Sequence, residues 1–299
     1  MAAIHPRWGA WSYLLYAGGF TLLFSAAGLL GWFSGHYGAF KYTLLSFVVF
    51  FGFAFIGRAL RRDGKHPIAA GLFAFVSVNL FAAFLAALYA WFGWLDLGGS
   101  AFRGFSLARL SIVLFTLVAA LVALRAFRFP LIVLTIAALA WFFVTDLLSG
   151  GGDWSAVVTF AVGLALLAAA RSADGGLNRP YGMWLHVGAG LTMGGSLLWF
   201  LHHGHFEWVL VVVASLLFVR LADVFERASW AVFGSVGILA AAAHFATSFS
   251  HATIALTPSG VPSAGDSRGW VPSVVFGAAG ALLMALGGLI ANRRRSASV

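Results

Sequence analysis

The sequence predicts an all-α polytopic transmembrane bundle of about ten spans, with the N-terminus and the C-terminus both cytoplasmic. Three observations predict it. Apolar runs of bilayer length recur along the whole chain. Charged residues are too few to cover a water-facing surface. Lysine and arginine alternate in density from one inter-span break to the next.

Hydrophobic residues make up 62% of the 299 residues and charged residues 9%. A water-soluble domain carries about 25% charged residues, so lipid is the solvent that suits this composition. Apolar runs of roughly 17 to 25 residues match the length a helix needs to cross the hydrocarbon core. They place spans near 12–33, 40–60, 67–92, 108–126, 129–149, 154–171, 181–202, 206–223, 229–249 and 271–291. The first run is too long and too continuous for a signal-peptide core and reads as a span. Two arginines and Pro130 at 125–130 mark a tight turn between the fourth and fifth spans, with Pro130 in the first turn of the fifth.

With the N-terminus inside, 14 of the 18 lysines and arginines fall on the cytoplasmic side. The outer four are Lys41, Arg103, Arg109 and Arg268. The net charge of +9 is therefore a topological bias and implies no nucleic-acid partner. Trp8, Trp11, Trp32, Tyr37, Tyr42, Trp91, Trp94, Trp154, Trp208, Trp230 and Trp270 stand at span ends, as an interfacial belt requires.

The connections are short except at 93–107 and 250–270, so the chain reads as a single membrane domain, 1–299. By size it would divide into five-span halves, 1–150 and 151–299, of opposite topology. Cysteine is absent, which excludes disulfides, thiol nucleophiles and thiolate metal sites. No motif for a catalytic or cofactor-binding site is present, and an enzyme is the less favoured reading.

Polar groups at membrane depth are the candidate functional residues. Arg109 and Asp146 lie at similar distances before and after the turn at Arg128, so they stand at nearly equal depth on a helical hairpin. They would form an ion pair near the outer interface, or Asp146 would serve as a proton- or cation-coupling carboxylate. Asn79 is expected near mid-membrane, as helix-joining glue or as a substrate contact. His244 lies at a depth similar to that of Asp146 and could meet it. These four residues are the candidate substrate or ion pathway.

His202, His203, His205 and His251, with Glu207, gather at the outer ends of the seventh and ninth spans. Imidazole and carboxylate suit a transition metal, although the spacing matches no defined metal motif. His186 and His244 differ in depth by about 15 Å and make a poor bis-histidine haem site. Arg220, Asp223, Glu226 and Arg227 are spaced to pair locally.

Small residues repeat on three spans: Gly188, Gly190, Gly194, Gly195 and Ser196; Gly234, Gly237, Ala241 and Ala242; Gly277, Ala281, Ala285, Gly287 and Gly288. Such faces allow close helix packing, within the bundle or against a second copy or a membrane-complex partner.

The segments Tyr13-Leu-Leu-Tyr-Ala-Gly-Gly-Phe20, Trp141-Phe-Phe-Val-Thr-Asp146 and Trp184-Leu-His-Val-Gly188 carry a resemblance. The chain resembles uncharacterised polytopic inner-membrane proteins of bacteria. That resemblance implies a fold and an inner-membrane location, and no chemistry. Three functions stand open: a small-solute or ion permease, a non-catalytic accessory or scaffold subunit, and a metal or redox protein using the outer histidines.

Overall fold

A computed structural model of the chain describes residues 10–95, 106–148, 152–175, 178–250 and 270–297. Every regular element among the described residues is a helix. In order they are α1 Ala10–His36, α2 Ala39–Asp63, α3 Pro67–Trp91, α4 Leu107–Phe127, α5 Ile132–Leu148, α6 Asp153–Ala173, α7 Arg179–Phe200, α8 His205–Phe225, α9 Ala228–Ser250 and α10 Val271–Ala297.

Each expected span corresponds to one helix. Eight are long and apolar enough to cross a membrane. The exceptions have local causes. α5 is apolar but has 17 residues. It follows an irregular lead-in in which the Ile132 and Val133 amides donate to the Phe129 and Pro130 carbonyls, so Pro130 lies just ahead of the helix. α7 has 22 residues but holds Arg179, His186 and five glycines. Large apolar side chains such as Phe24, Phe55, Leu107 and Met284 are 67% to 80% exposed to the exterior. Water would penalise that surface, and a bilayer does not. The chain is a multi-pass membrane protein.

The helix ends follow from their sequences. Gly64 closes α2 at φ 70, and its amide donates to the Leu60 carbonyl. Pro67 then opens α3, where its missing N–H costs nothing. Ser106 caps α4 by accepting the Arg109 amide. Arg128 and Glu226 close α4 and α8 in the left-handed conformation, at φ 52 and 53.

The helices form two compact units, Met1–Ala189 and Gly190–Val299. In the first, α3 is central and packs on α1, α2, α4 and α5. Buried residues are 61% of its most apolar stretch, against 28% or less in the other seven spans. Lipid is as apolar as the side chains that meet inside, so close fit has to supply the attraction. Gly71 provides it on α3: a Cβ there would overlap the Phe129 ring. Phe129 in turn stacks on Tyr16, which stacks on Trp184. Phe129, Leu131 and Ile132 are at most 1% exposed, so the α4–α5 turn is a core element.

In the second unit α9 packs on α8 and α10. The close approach is at Gly234 and Gly237. A Cβ at Gly234 would lie 2.6 Å from the Ser215 carbonyl oxygen, and one at Gly237 would overlap the Ser215 hydroxyl. The fully buried Trp230 sits among Phe218, Phe225 and Phe233. Two of the three small-residue stripes thus pack within the units: Gly188 faces Ala137, and the α9 pair faces Ser215 and Val219. On α10, Gly277, Gly280, Gly287 and Gly288 have open space where a Cβ would stand.

Candidate functional site

The end of the α4–α5 hairpin remote from its turn holds two charges. Arg109 is in the first turn of α4, three residues past the Ser106 cap, and Asp146 is in the last turn of α5. Equal distance from Arg128 brings them level. The Arg109 Nη2–Asp146 Oδ1 distance is 3.0 Å, with the side chains 13% and 4% exposed. Each charge is at the unfavourable end of its own helix. A cation faces the positive N-terminus of α4, and a carboxylate faces the negative C-terminus of α5. Each therefore depends on the other. Asp146 Oδ2 is buried and has no hydrogen-bond partner.

Asn79 lies near the middle of α3. Its Nδ2 donates to the Phe75 carbonyl at 2.8 Å and to the Thr135 hydroxyl at 3.2 Å. The second bond ties α3 to α5. Other hydroxyls at depth, including Thr43, Ser46, Thr116 and Ser215, donate to carbonyls of their own helices.

The histidines near the α7–α8 turn divide between two settings. His202 and His203 lie in the turn after α7, with ring centroids 3.9 Å apart. His202 Nδ1 donates to the Trp199 carbonyl and closes the end of α7. His205 begins α8 and meets His244 of α9: Nδ1 and Nε2 are 3.2 Å apart, and whichever nitrogen carries hydrogen donates. The His244 ring also stacks on Trp208 at 4.6 Å. His244 thus contacts His205 and Trp208, and Asp146 is engaged by Arg109. Among the described residues no three histidine or acidic side chains converge to hold a metal. His251 lies outside the described residues.

Two features were not read from the sequence. His186, whose side chain is fully buried, has Nε2 2.9 Å from Asp174 Oδ2. The bond links α7 to the end of α6. Gly182, one turn before His186, leaves room for the carboxylate: a Cβ there would lie 2.9 Å from Asp174 Oδ1. An acid at a helix end, followed by Gly and His four apart on the next helix, is the signal that could have found it. At the end of α8, Arg220 and Asp223 pair at 2.6 Å, as their spacing predicts.

The other feature is a cleft of about 610 Å³ between α2 and α4, floored by α3. Its walls are apolar, and Arg58, Arg61 and Arg62 line one end. Their spacing puts all three on one side of α2. Lys/Arg counting absorbs them as topology, whereas their shared helix face is the signal of a site. Ser77 and Val78 line the cleft's floor beside Asn79 in sequence.

Comparison with protein-family models, with curated proteins and with solved structures finds no match.

Proposed function

We propose that the chain is a small-solute or ion permease of the bacterial inner membrane, with both termini cytoplasmic and Asp146 as its coupling group. The observation that carries this reading is the Arg109–Asp146 pair. A pair kept only for stability would satisfy all its buried atoms and would stand at the helix ends that favour it. This pair does neither: both dipoles oppose it, and Asp146 Oδ2 is buried with no partner. A buried carboxylate oxygen whose lone pairs meet no donor is an acceptor for a proton or a small cation.

The exchange balances charge. A proton arriving at Oδ2 turns the carboxylate into a neutral acid and weakens its hold on the Arg109 guanidinium. Arg109 is then open to an anionic group of a solute. Loss of that proton restores the pair and expels the anion. The 14-to-4 distribution of basic residues supports an outer location for this end of the hairpin.

The test is reconstitution into proteoliposomes on a solid-supported membrane, with concentration jumps of anionic, cationic and neutral solutes. At least one solute class is expected to give charge displacement, which Asp146→Asn abolishes while the protein remains monodisperse and helical. No displacement with any class, or currents unchanged in Asp146→Asn, would overturn the reading.

A second reading is an accessory or scaffold subunit. The satisfied state of Asn79 and the intrahelical hydroxyl bonds favour it, because they leave little polar surface for a solute. The Cβ-free stripe on α10 would be its lateral contact. Co-purification of a stoichiometric membrane partner, lost when Gly280 and Gly287 become Leu, separates it from the first.

A further inference from the structure

We infer that the cleft between α2 and α4 is a binding site for one anionic glycerophospholipid from the surrounding leaflet. The inference stands apart from the Asp146 reading and shares no residue with it.

The shape comes from side-chain size. Ala54 on one wall and Ala119 and Ala123 on the other hollow out a groove that longer side chains would fill. Phe50 bounds it near the middle of α2, and Arg62 bounds it at the helix end. Twelve residues separate these two, or about 18 Å at 1.5 Å per residue. One leaflet of a hydrocarbon core is about 15 Å deep. The groove therefore has the length of one acyl chain lying along the helices, with its arginines at headgroup level. It opens sideways: Val122 lines it and is 62% exposed to the exterior. An occupant can enter from lipid without crossing water.

The charge at the mouth names the occupant. Arg58, Arg61 and Arg62 have no carboxylate within 4.0 Å among the described residues. Asp63, the acid next to them, is turned to Lys65 at 3.9 Å. The Arg61 guanidinium lies over the Phe127 ring at 5.1 Å, which holds it across the mouth from α2 toward α4. A helix C-terminus favours cations and accounts for basic residues there. It does not account for three unpaired guanidinium groups on the face that borders an apolar hollow. Guanidinium forks match phosphate oxygens in pairs. Cations of this kind near an anionic leaflet contribute roughly a fivefold preference each. A soluble phosphate would use the mouth and leave the groove empty, whereas a phospholipid fills both.

The test uses the full chain, purified in detergent and delipidated. It is mixed with equimolar phosphatidylglycerol and phosphatidylcholine of equal chain length, and retained lipid is counted by native mass spectrometry. One phosphatidylglycerol per chain is expected, at about tenfold or more over phosphatidylcholine. Arg58→Gln/Arg61→Gln/Arg62→Gln should reduce the preference to near unity. These side chains are exposed, so the fold is retained, and circular dichroism checks it. Lys65→Gln/Arg125→Gln removes neighbouring cations outside the cleft and should leave the preference intact. Equal retention of the two lipids, a preference that survives the triple substitution, or one equally lost in the control pair would overturn the inference. So would displacement of the lipid by millimolar glycerol 3-phosphate, which would make a soluble anion the ligand.

Discussion

Removing either charge of the Arg109–Asp146 pair should damage the protein far more than removing both. The perturbation is a double-mutant cycle of Arg109→Leu, Asp146→Leu and their combination. The pair is 3.0 Å apart with side chains 13% and 4% exposed, so water does little to screen it. Deleting one partner leaves the other's charge buried against an opposing helix dipole. Buried pairs broken in this way lose about 3–5 kcal/mol, and the residual access of Arg109 to the exterior brings the expectation to about 2–4 kcal/mol for each single variant. The double variant loses the attraction but also both desolvation costs and two dipole conflicts of about 0.3–1 kcal/mol each. It should lie within about 1 kcal/mol of the native protein, and the coupling energy should exceed about 2 kcal/mol. Reversible unfolding in mixed micelles, followed by tryptophan fluorescence, measures all four corners. If the double variant loses the sum of the singles, the two groups do not depend on one another. The stability-neutral double variant should also be inactive in the solute-jump assay, which separates the pair's work from its packing.

Gly71→Ala should destabilise the first unit by about 1–3 kcal/mol, because the new Cβ overlaps a Phe129 ring that has nowhere to move; thermal unfolding in detergent checks it. Gly234→Val should part α8 from α9, since even a Cβ would lie 2.6 Å from the Ser215 carbonyl oxygen, and a lower melting temperature with reduced α8–α9 cross-linking is the expected readout. Asn79→Ala removes the bond to Thr135 and should cost about 0.6 kcal/mol and no more than about 1.7; a larger loss would mean that Asn79 holds more than α5. The chain has no cysteine, so single cysteines report topology cleanly. His203→Cys should react with an impermeant maleimide in intact cells, and Arg62→Cys only after permeabilisation; the reverse result would invert the topology.

The helices were legible because bilayer thickness fixes their length, and no tertiary information is needed to see an apolar run of the right size. The Arg109–Asp146 pair was legible for a related reason: a hairpin with a known turn makes depth a matter of counting from Arg128. The pairing of His205 with His244 was not legible, because residues so far apart in the chain become neighbours only once α8 and α9 pack. The turn at 201–204 separates His202 and His203 from His205, which starts a new helix and faces His244. The cleft was hidden for the opposite reason. Arg58, Arg61 and Arg62 already had a sufficient explanation as inside charges, and the hollow they border exists only once Ala54 and Ala119, on different helices, stand either side of α3. The Asp174–His186 bond joins the end of α6 to the interior of α7, a contact that spacing along the chain does not fix.

The central position of α3 has a consequence for how the gene can vary. A helix whose flanks face lipid reads a substitution with one neighbour at most, and any apolar residue will serve there. α3 is read by four helices at once. Its alanines, Gly71 and Ser77 are dimensions as much as residues, and a single added methylene at one of them would be felt by several partners. A saturation library should therefore tolerate Leu, Ile and Phe almost interchangeably along the outward faces of α2 and α10. Along α3 it should collapse to near-invariance, although α3 carries no charge. In this protein the least permissive stretch of sequence is the one that sets the spacing of the others.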